Sequence, residues 1–116
     1  MTKQSIGQEG EELATKYLEA RGVRIISRNV KLGGVEADII AKDGKEIVVV
    51  EVKTKTSLAF GLPQEMVGYR KQGQLRKFVA HWMQLHPKDR VRIDVIAVCL
   101  EGNPPGIEHL INVVGE

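Results

Sequence analysis

Two acids and a lysine stand where the surrounding chain is otherwise apolar. Asp38 interrupts the run Val35-Glu36-Ala37-Asp38-Ile39-Ile40-Ala41, and Glu51 and Lys53 close the run Ile47-Val48-Val49-Val50-Glu51-Val52-Lys53. Between the runs lies Lys42-Asp43-Gly44-Lys45, and an Asp-Gly pair between β-branched runs is a strong hairpin signal. Two carboxylates and an ammonium gathered inside a greasy ribbon fit a divalent-cation site for phosphodiester cleavage, because the cation needs oxygen ligands and the reaction needs a fixed positive charge.

The geometry depends on register. If Asp43 and Gly44 form a two-residue turn, Lys42 faces Lys45, Asp38 faces Val49 and Glu36 faces Glu51. Side chains alternate between faces, so Glu36, Asp38, Val49, Glu51 and Lys53 share one. Asp38 and Glu51 are then diagonal neighbours with Cα atoms roughly 7–8 Å apart, close enough to share a cation. A four-residue loop keeps the same pairing, whereas a three-residue loop puts the two acids on opposite faces. The competing reading is a solvated cross-strand ion pair. Against it, Val48, Val50 and Val52 line one face while Ile40, Ile47 and Val49 line the other, the pattern of a central strand covered on both sides. A charge there is costly unless it is paired or metal-bound.

Each residue then has an expected role. Asp38, Glu51 and the carbonyl of Val52 would hold Mg2+ or Mn2+. Lys53 would orient the attacking water or stabilise charge on phosphorus. Glu11 lies at the border of a helical apolar stripe, where it either turns toward the sheet to bind metal-bound water or a second ion, or snorkels outward. Glu36 is either a neighbour supporting the ligands or a partner for Lys53. Lys55, Arg70, Lys71 and Gln72 are candidate phosphate contacts, which position a nucleic-acid backbone without reading sequence. Arg76 and Lys77 read as a solvated helix face, and Trp82 and Met83 as core. His81, His86 and His109 have no spacing that suggests zinc.

The elements that must position these groups follow from periodicity. Ser5 to Ala20 has a helical stripe of Ile6, Gly10, Leu13, Ala14, Tyr17 and Leu18, ended by Arg21-Gly22. Val23 to Ser27 is an expected strand, Lys31-Leu32-Gly33-Gly34 a turn, and the hairpin follows. Thr54 to Gly68, with Gly61 and Pro63, reads as a long irregular segment of the kind that often carries function. A second helix is expected from Tyr69 to Leu85, with Leu75, Phe78, Val79, Trp82, Met83 and Leu85 inward, then strands at Val91–Cys99 and Ile107–Val113. Helix, strand, hairpin, helix, strand, strand predicts an α/β fold whose strand after the second helix returns parallel to Ile47–Val52. The 116 residues suit one domain, 1–116. A chain 42% apolar and 28% charged is typical of soluble globular proteins. A net charge of +2 is compatible with nucleic acid without demanding it, and the scarcity of aromatic residues argues against base stacking as the main binding mode. Cys99, the lone cysteine, excludes an internal disulfide and reads as a small buried hydrophobe in a reducing compartment. With no run long enough for a membrane span and no signal-peptide stretch at Met1–Ser5, the expectation is a cytoplasmic protein with no membrane partner.

Asp38 with Glu51-x-Lys53 on adjacent strands resembles the PD-(D/E)XK nuclease core. A longer set of segments resembles the small bacterial YraN family, regarded as endonucleases and similar to archaeal Holliday-junction resolvases. These are Gly10-Glu11-Glu12-Leu13-Ala14 with Tyr17-Leu18, Arg28-Asn29, Glu36-Ala37-Asp38-Ile39-Ile40, Glu51-Val52-Lys53-Thr54-Lys55, Gly61, Val67 with Lys71, and Arg92-Ile93-Asp94-Val95. The resemblance implies a restriction-endonuclease-like core with a mixed central sheet of about five strands flanked by helices. It also implies Asp38 and Glu51 as metal ligands, Lys53 as the catalytic lysine, Glu11 as the acid of the first helix, and Lys71 and Gln72 beside the site. Asp94 matches a position without an assigned role, where it pairs with Arg92 or shapes an interface. Departures are Val35 where the family often has Gly, Lys55 where it often has Arg, and Ala37 where the motif's name has Pro. The resulting expectation is a hydrolase, a Mg2+- or Mn2+-dependent endodeoxyribonuclease acting on DNA, including branched DNA, in a homodimer. The alternatives are a nucleic-acid-binding or adaptor module that keeps the nuclease fold without turnover, and a purely structural charge cluster.

Overall fold

The computed structural model describes residues 2–55 and 67–113, with Lys3 and Gln4 described by their backbone alone. Most of the expected loop at Thr54 to Gly68, including Gly61 and Pro63, lies outside these residues. Helix α1 (Lys3–Ala20) starts at Thr2, whose hydroxyl accepts from the Ser5 backbone N–H at 3.1 Å while the Ser5 hydroxyl accepts from the Thr2 N–H at 3.0 Å. This reciprocal cap satisfies two donors that a helix start otherwise leaves open. Strands β1 (Arg24–Leu32), β2 (Val35–Asp43) and β3 (Glu46–Lys55) follow, then α2 (Tyr69–Leu85), β4 (Arg90–Cys99) and β5 (Gly106–Leu110). No described helix is long and apolar enough to cross a membrane.

The five strands form one sheet in sequence order, antiparallel except for the parallel pair β3–β4 that the crossover through α2 produces. This is the expected α/β fold with a mixed five-stranded sheet flanked by helices. Strand alternation sorts its residues into two cores. Ala14 and Leu18 of α1 pack on Ile39, Ala41, Val48, Val50, Ile96 and Val98, whereas Leu75 and Phe78 of α2 pack on Ile40, Ile47, Val49, Ile93, Val95 and Ala97. The valine run of β3 is therefore buried on both sides, as its two apolar faces predict. Each such side chain contributes about 1.5–3 kcal/mol by leaving water. Trp82 packs partly buried at the rim of the α2 core, stacked on Phe78, and donates through Nε1 to Asp89 at 3.0 Å. Met83, expected in the core, is 43% exposed, and Leu85 is exposed too. Helical periodicity identifies the inward side but cannot say where the surface beneath it ends. Cys99 is buried, as expected.

The hairpin register differs from the expected one. Observed pairs are Asp43 with Glu46, Lys42 with Ile47, Ala41 with Val48, Ile40 with Val49 and Ile39 with Val50. The turn residues are Gly44 and Lys45, so β2 is slid by two residues relative to an Asp43-Gly44 turn. Gly44 has φ +61° and Lys45 has no positive φ, the type II′ pattern with Gly at the first turn position. Asp43 is thereby spared the left-handed conformation that a type I′ turn would demand of it. Glu51 stays on the α2 side of β3 with Ile47 and Val49, whereas alternation in β2 breaks at Asp38: Val35 and Ala37 share the α2 core with Ile40, while Ile39 and Ala41 face α1. The ladder ends at Ile39 and Val50, next to Asp38 and Glu51, and in this register Glu36 is no longer opposite Glu51.

Candidate active site

The β2–β3 ladder runs as far as Ile39 and Val50, and beyond it the Asp38 carboxylate takes over the pairing. Its Oδ2 accepts from the Val52 backbone N–H at 2.8 Å. Asp38 is thus held between the two strands, beside Glu51, by a donor that strand pairing would otherwise use. Val52 serves the site first through its N–H.

Glu51 is the most perturbed acid near the site. Its side chain is only 15% exposed, with Oε2 3.4 Å from Lys71 Nζ and Oε1 buried without a hydrogen-bond partner. Burial, then the Asp38 charge, then a hydrogen bond shared with Asp38 push its pKa up from 4.5 to about 8, while Lys71 pulls the other way. Burial and a neighbouring carboxylate outweigh the ammonium because Lys71 remains partly in solvent, where its charge is screened. Burial and the neighbouring Asp38 charge therefore favour the protonated form of Glu51 at neutral pH.

Glu11 turns inward, the first of the two readings its position allowed. Its pKa is raised by burial first and by Asp38 second, and lowered by Arg28 and by a hydrogen bond with Asn29. Arg28 Nη2 lies 3.7 Å from Glu11 Oε1, and Arg28 Nη1 donates to Glu12 at 3.0 Å. Glu11 thus feels the charge of Asp38 while leaning on a β1 arginine. Among the described residues, no three His, Cys, Asp or Glu side chains are grouped closely enough to hold a metal ion by themselves. The donors that do converge are two carboxylates, one with an unpartnered buried oxygen. That set suits a hard cation that keeps several waters, as Mg2+ does.

The remaining candidates divide. Lys53 is exposed, on Glu51's side of β3 by alternation. Lys71, at the start of α2, reaches Glu51 directly, and Arg70 beside it is exposed. The Gln72 side chain instead donates to the Val67 carbonyl at 2.8 Å and fixes the entry into α2. Lys55 is half-buried, and its carbonyl accepts from the Leu100 N–H at 2.9 Å. Glu36 is exposed and sits opposite Lys31 of β1, away from Glu51 because of the slid register. Sequence reasoning missed the Arg28–Glu11 contact and the reach of Lys71 to Glu51. No spacing rule links residues so far apart in the chain.

Thr54, one residue past Lys53, lies against Gly10 of α1, where any β-carbon would run into the Thr54 side chain. That close approach seats the first turns of α1, with Glu11, against the end of β3. Glu11, Asp38, Glu51 and Lys71 therefore lie at one end of the sheet. A model of the uncharacterised protein family UPF0102 matches residues 10–98. This chain belongs to the UPF0102 family. It is 43% identical over 114 residues to the UPF0102 protein of Arthrobacter sp. strain FB24, covering 96% of this chain and 97% of that one. It is 47% identical over 114 residues to the UPF0102 protein of Trichlorobacter lovleyi, covering 94% and 89%. Among solved structures, SfsA of Pyrococcus furiosus in complex with Ca2+ aligns with 16% identity and a TM-score of 0.38, over 91% of this chain and 62% of SfsA. At that score nothing further rests on the likeness. In this UPF0102 protein the matched segment contains Glu11, Asp38, Glu51, Lys53 and Lys71.

Proposed function

We propose that this UPF0102 protein is a Mg2+- or Mn2+-dependent DNA endonuclease. The observation that carries the reading is the pair Asp38 and Glu51, side by side where the β2–β3 ladder ends, with Glu51 Oε1 buried and unpartnered. Asp38, Glu51 and the carbonyl of Val52 would hold the cation. When bound, it would supply Lewis-acid stabilisation of the phosphate and a more acidic water. The chain's own groups do the rest. The Val52 N–H orients Asp38. Glu51 would act in its ionised form. Lys53 would place an ammonium beside the scissile phosphate, and Lys71, Arg70 and Lys55 would line the backbone of the nucleic acid. Glu11 would orient water near the site. A homodimer would present two such sites to branched DNA.

A second reading, a nucleic-acid-binding module without turnover, is favoured by one observation: the Lys71–Glu51 contact already supplies Glu51 with a cationic partner. The test compares nicking of supercoiled and branched DNA with Mg2+, with Mn2+ and with chelator, for wild type, Asp38→Asn and Lys53→Ala. Metal-dependent nicking that falls by roughly 10²-fold or more in each variant is expected. Cutting that survives the chelator, or both variants at full activity, refutes the nuclease. Salt-dependent DNA binding without any cleavage supports the second reading.

A further inference from the structure

The Asp38–Glu51 pair exists only in one hairpin register, and the hairpin by itself has no reason to choose it. Ile39-Ile40-Ala41 faces Ile47-Val48-Val49-Val50, and these β-branched and small residues by themselves pack similarly after a slide of two positions. Turn chemistry does not decide, because Asp43-Gly44 suits a type I′ turn and Gly44-Lys45 suits the observed type II′ turn. Charge does not discriminate either. The observed register opposes Asp43 to Glu46, and the alternative would oppose Lys42 to Lys45. Like charges across a ladder destabilise both.

What breaks the tie lies elsewhere in the chain. Arg92 of β4 reaches across the start of β3. Its Nη1 donates to Glu46 Oε1 at 2.9 Å and its Nη2 to Asp43 Oδ2 at 3.0 Å. One guanidinium thus joins the two acids that face each other across the turn. The side chain is 12% exposed and is itself anchored: Nε and Nη2 donate to Asp94 Oδ1 and Oδ2 at 3.1 and 3.2 Å. Asp94 is fully buried and also accepts from the Asn112 N–H at 3.0 Å and from His109 Nε2 at 2.7 Å, with His109 Nδ1 3.2 Å from the Tyr17 hydroxyl. Held this way, Arg92 cannot follow the hairpin. A two-residue slide would carry β2 roughly 6–7 Å along β3, beyond hydrogen-bond reach of the guanidinium.

We propose that Arg92 is a positioning residue that selects this register and thereby brings Asp38 beside Glu51. The proposal rests on the nuclease reading only for the worth of that pairing; the choice of register stands apart from it. In the competing register Glu36 would take the place opposite Glu51, and Asp38 would face Val49.

The test uses the full chain, metal-free, and reads register directly from cross-strand nuclear Overhauser effects: Lys42 to Ile47 for the observed pairing, Lys42 to Lys45 for the alternative. Mn2+ titration, read by paramagnetic broadening of the Asp38 and Glu51 signals, gives a second readout. The variants are Arg92→Ala, Arg92→Lys and Asp43→Asn. The last keeps the Arg92–Asp94 anchor, and so the fold, while removing one charged end of the clamp and strengthening the competing turn. Expected are Lys42–Lys45 effects in Arg92→Ala and Asp43→Asn, a Mn2+ affinity lowered roughly tenfold or more, and partial recovery in Arg92→Lys, which pairs with one acid but cannot fork to two. Wild-type cross-strand effects in a folded Arg92→Ala overturn the proposal. If Arg92→Ala does not fold, Asp43→Asn decides. A wild-type chain that binds no Mn2+ counts against the nuclease reading, and the register effects still test Arg92.

Discussion

Replacing Glu51 by Gln removes one titration and leaves the shape almost unchanged. In the metal-free protein Glu51 is raised from 4.5 to about 8, chiefly by burial and by Asp38. Between those values the native state holds a proton that the unfolded chain has released. Stability therefore falls as pH rises, at about 1.4 kcal/mol per unit, and is retained in full only below about 4.5. Across the whole window the ceiling is roughly 5 kcal/mol. Relaxation of the site and an effective dielectric nearer 20 than 4 reduce the observable part to roughly 2–3 kcal/mol. Glu51→Gln carries no such slope, because the amide stays neutral and can still donate to Asp38. Urea denaturation followed by Trp82 fluorescence, in chelator, at pH 5, 6.5 and 8.5 measures the difference between the two proteins. The histidines and the other carboxylates largely cancel in that comparison. Near pH 5 the two stabilities should be similar, and by pH 8.5 the variant should be the more stable by roughly 2–3 kcal/mol. A constant offset from pH 5 to 8.5 would refute the reasoning, since Glu51 would then be ionised throughout.

Other perturbations have equally definite outcomes. Lys71→Met removes the group that lowers the Glu51 pKa, so the Glu51 midpoint, followed by carboxyl-carbon resonance in the metal-free protein, should move upward from about 8; a downward shift contradicts the contact. Asp94→Asn leaves Arg92 buried beside a neutral amide and should cost about 3–5 kcal/mol in urea unfolding, with little pH dependence of the loss above pH 6. Gly10→Ala forces a β-carbon into the Thr54 side chain and should cost about 1–3 kcal/mol. Adding Thr54→Ala should recover part of that loss, and simple additivity of the two changes would show that the helix and the end of β3 do not press on each other.

Much of the fold was readable from residue periodicity. The span Tyr69–Leu85 follows from the spacing of Leu75, Phe78 and Val79 and from Pro87 beyond the end, and the helix occupies those residues. The double-sided valine run predicted a covered central strand, and α1 and α2 cover it. Strand ends were less legible. The expected strand at Val23–Ser27 continues as β1 to Leu32, through Asn29 with φ +54°, because pairing with β2 extends a strand beyond what its own alternation suggests. The site was legible as a set of residue types on two adjacent strands, and its partners were not. Lys71 was a candidate phosphate contact on sequence grounds, and it meets Glu51 because the crossover returns α2 over the end of β3. The pairing of Asp94 with Arg92, one of two readings of that segment, holds within β4, but its links to Asp43, Glu46, His109 and Asn112 come from four other places in the chain.

The linear chain alone determined the faces of β3, where alternation puts Glu51 and Lys53 with Ile47 and Val49. In β2 alternation fails at Asp38, since Val35 and Ala37 share a core with Ile40 and not with Ile39 and Ala41. The tertiary structure decided which residues meet. A run of near-identical β-branched side chains packs almost as well after a two-residue slide, so local sequence carries little energy difference between registers, whereas a guanidinium anchored on a buried carboxylate in a distant strand can satisfy Asp43 and Glu46 in only one of them.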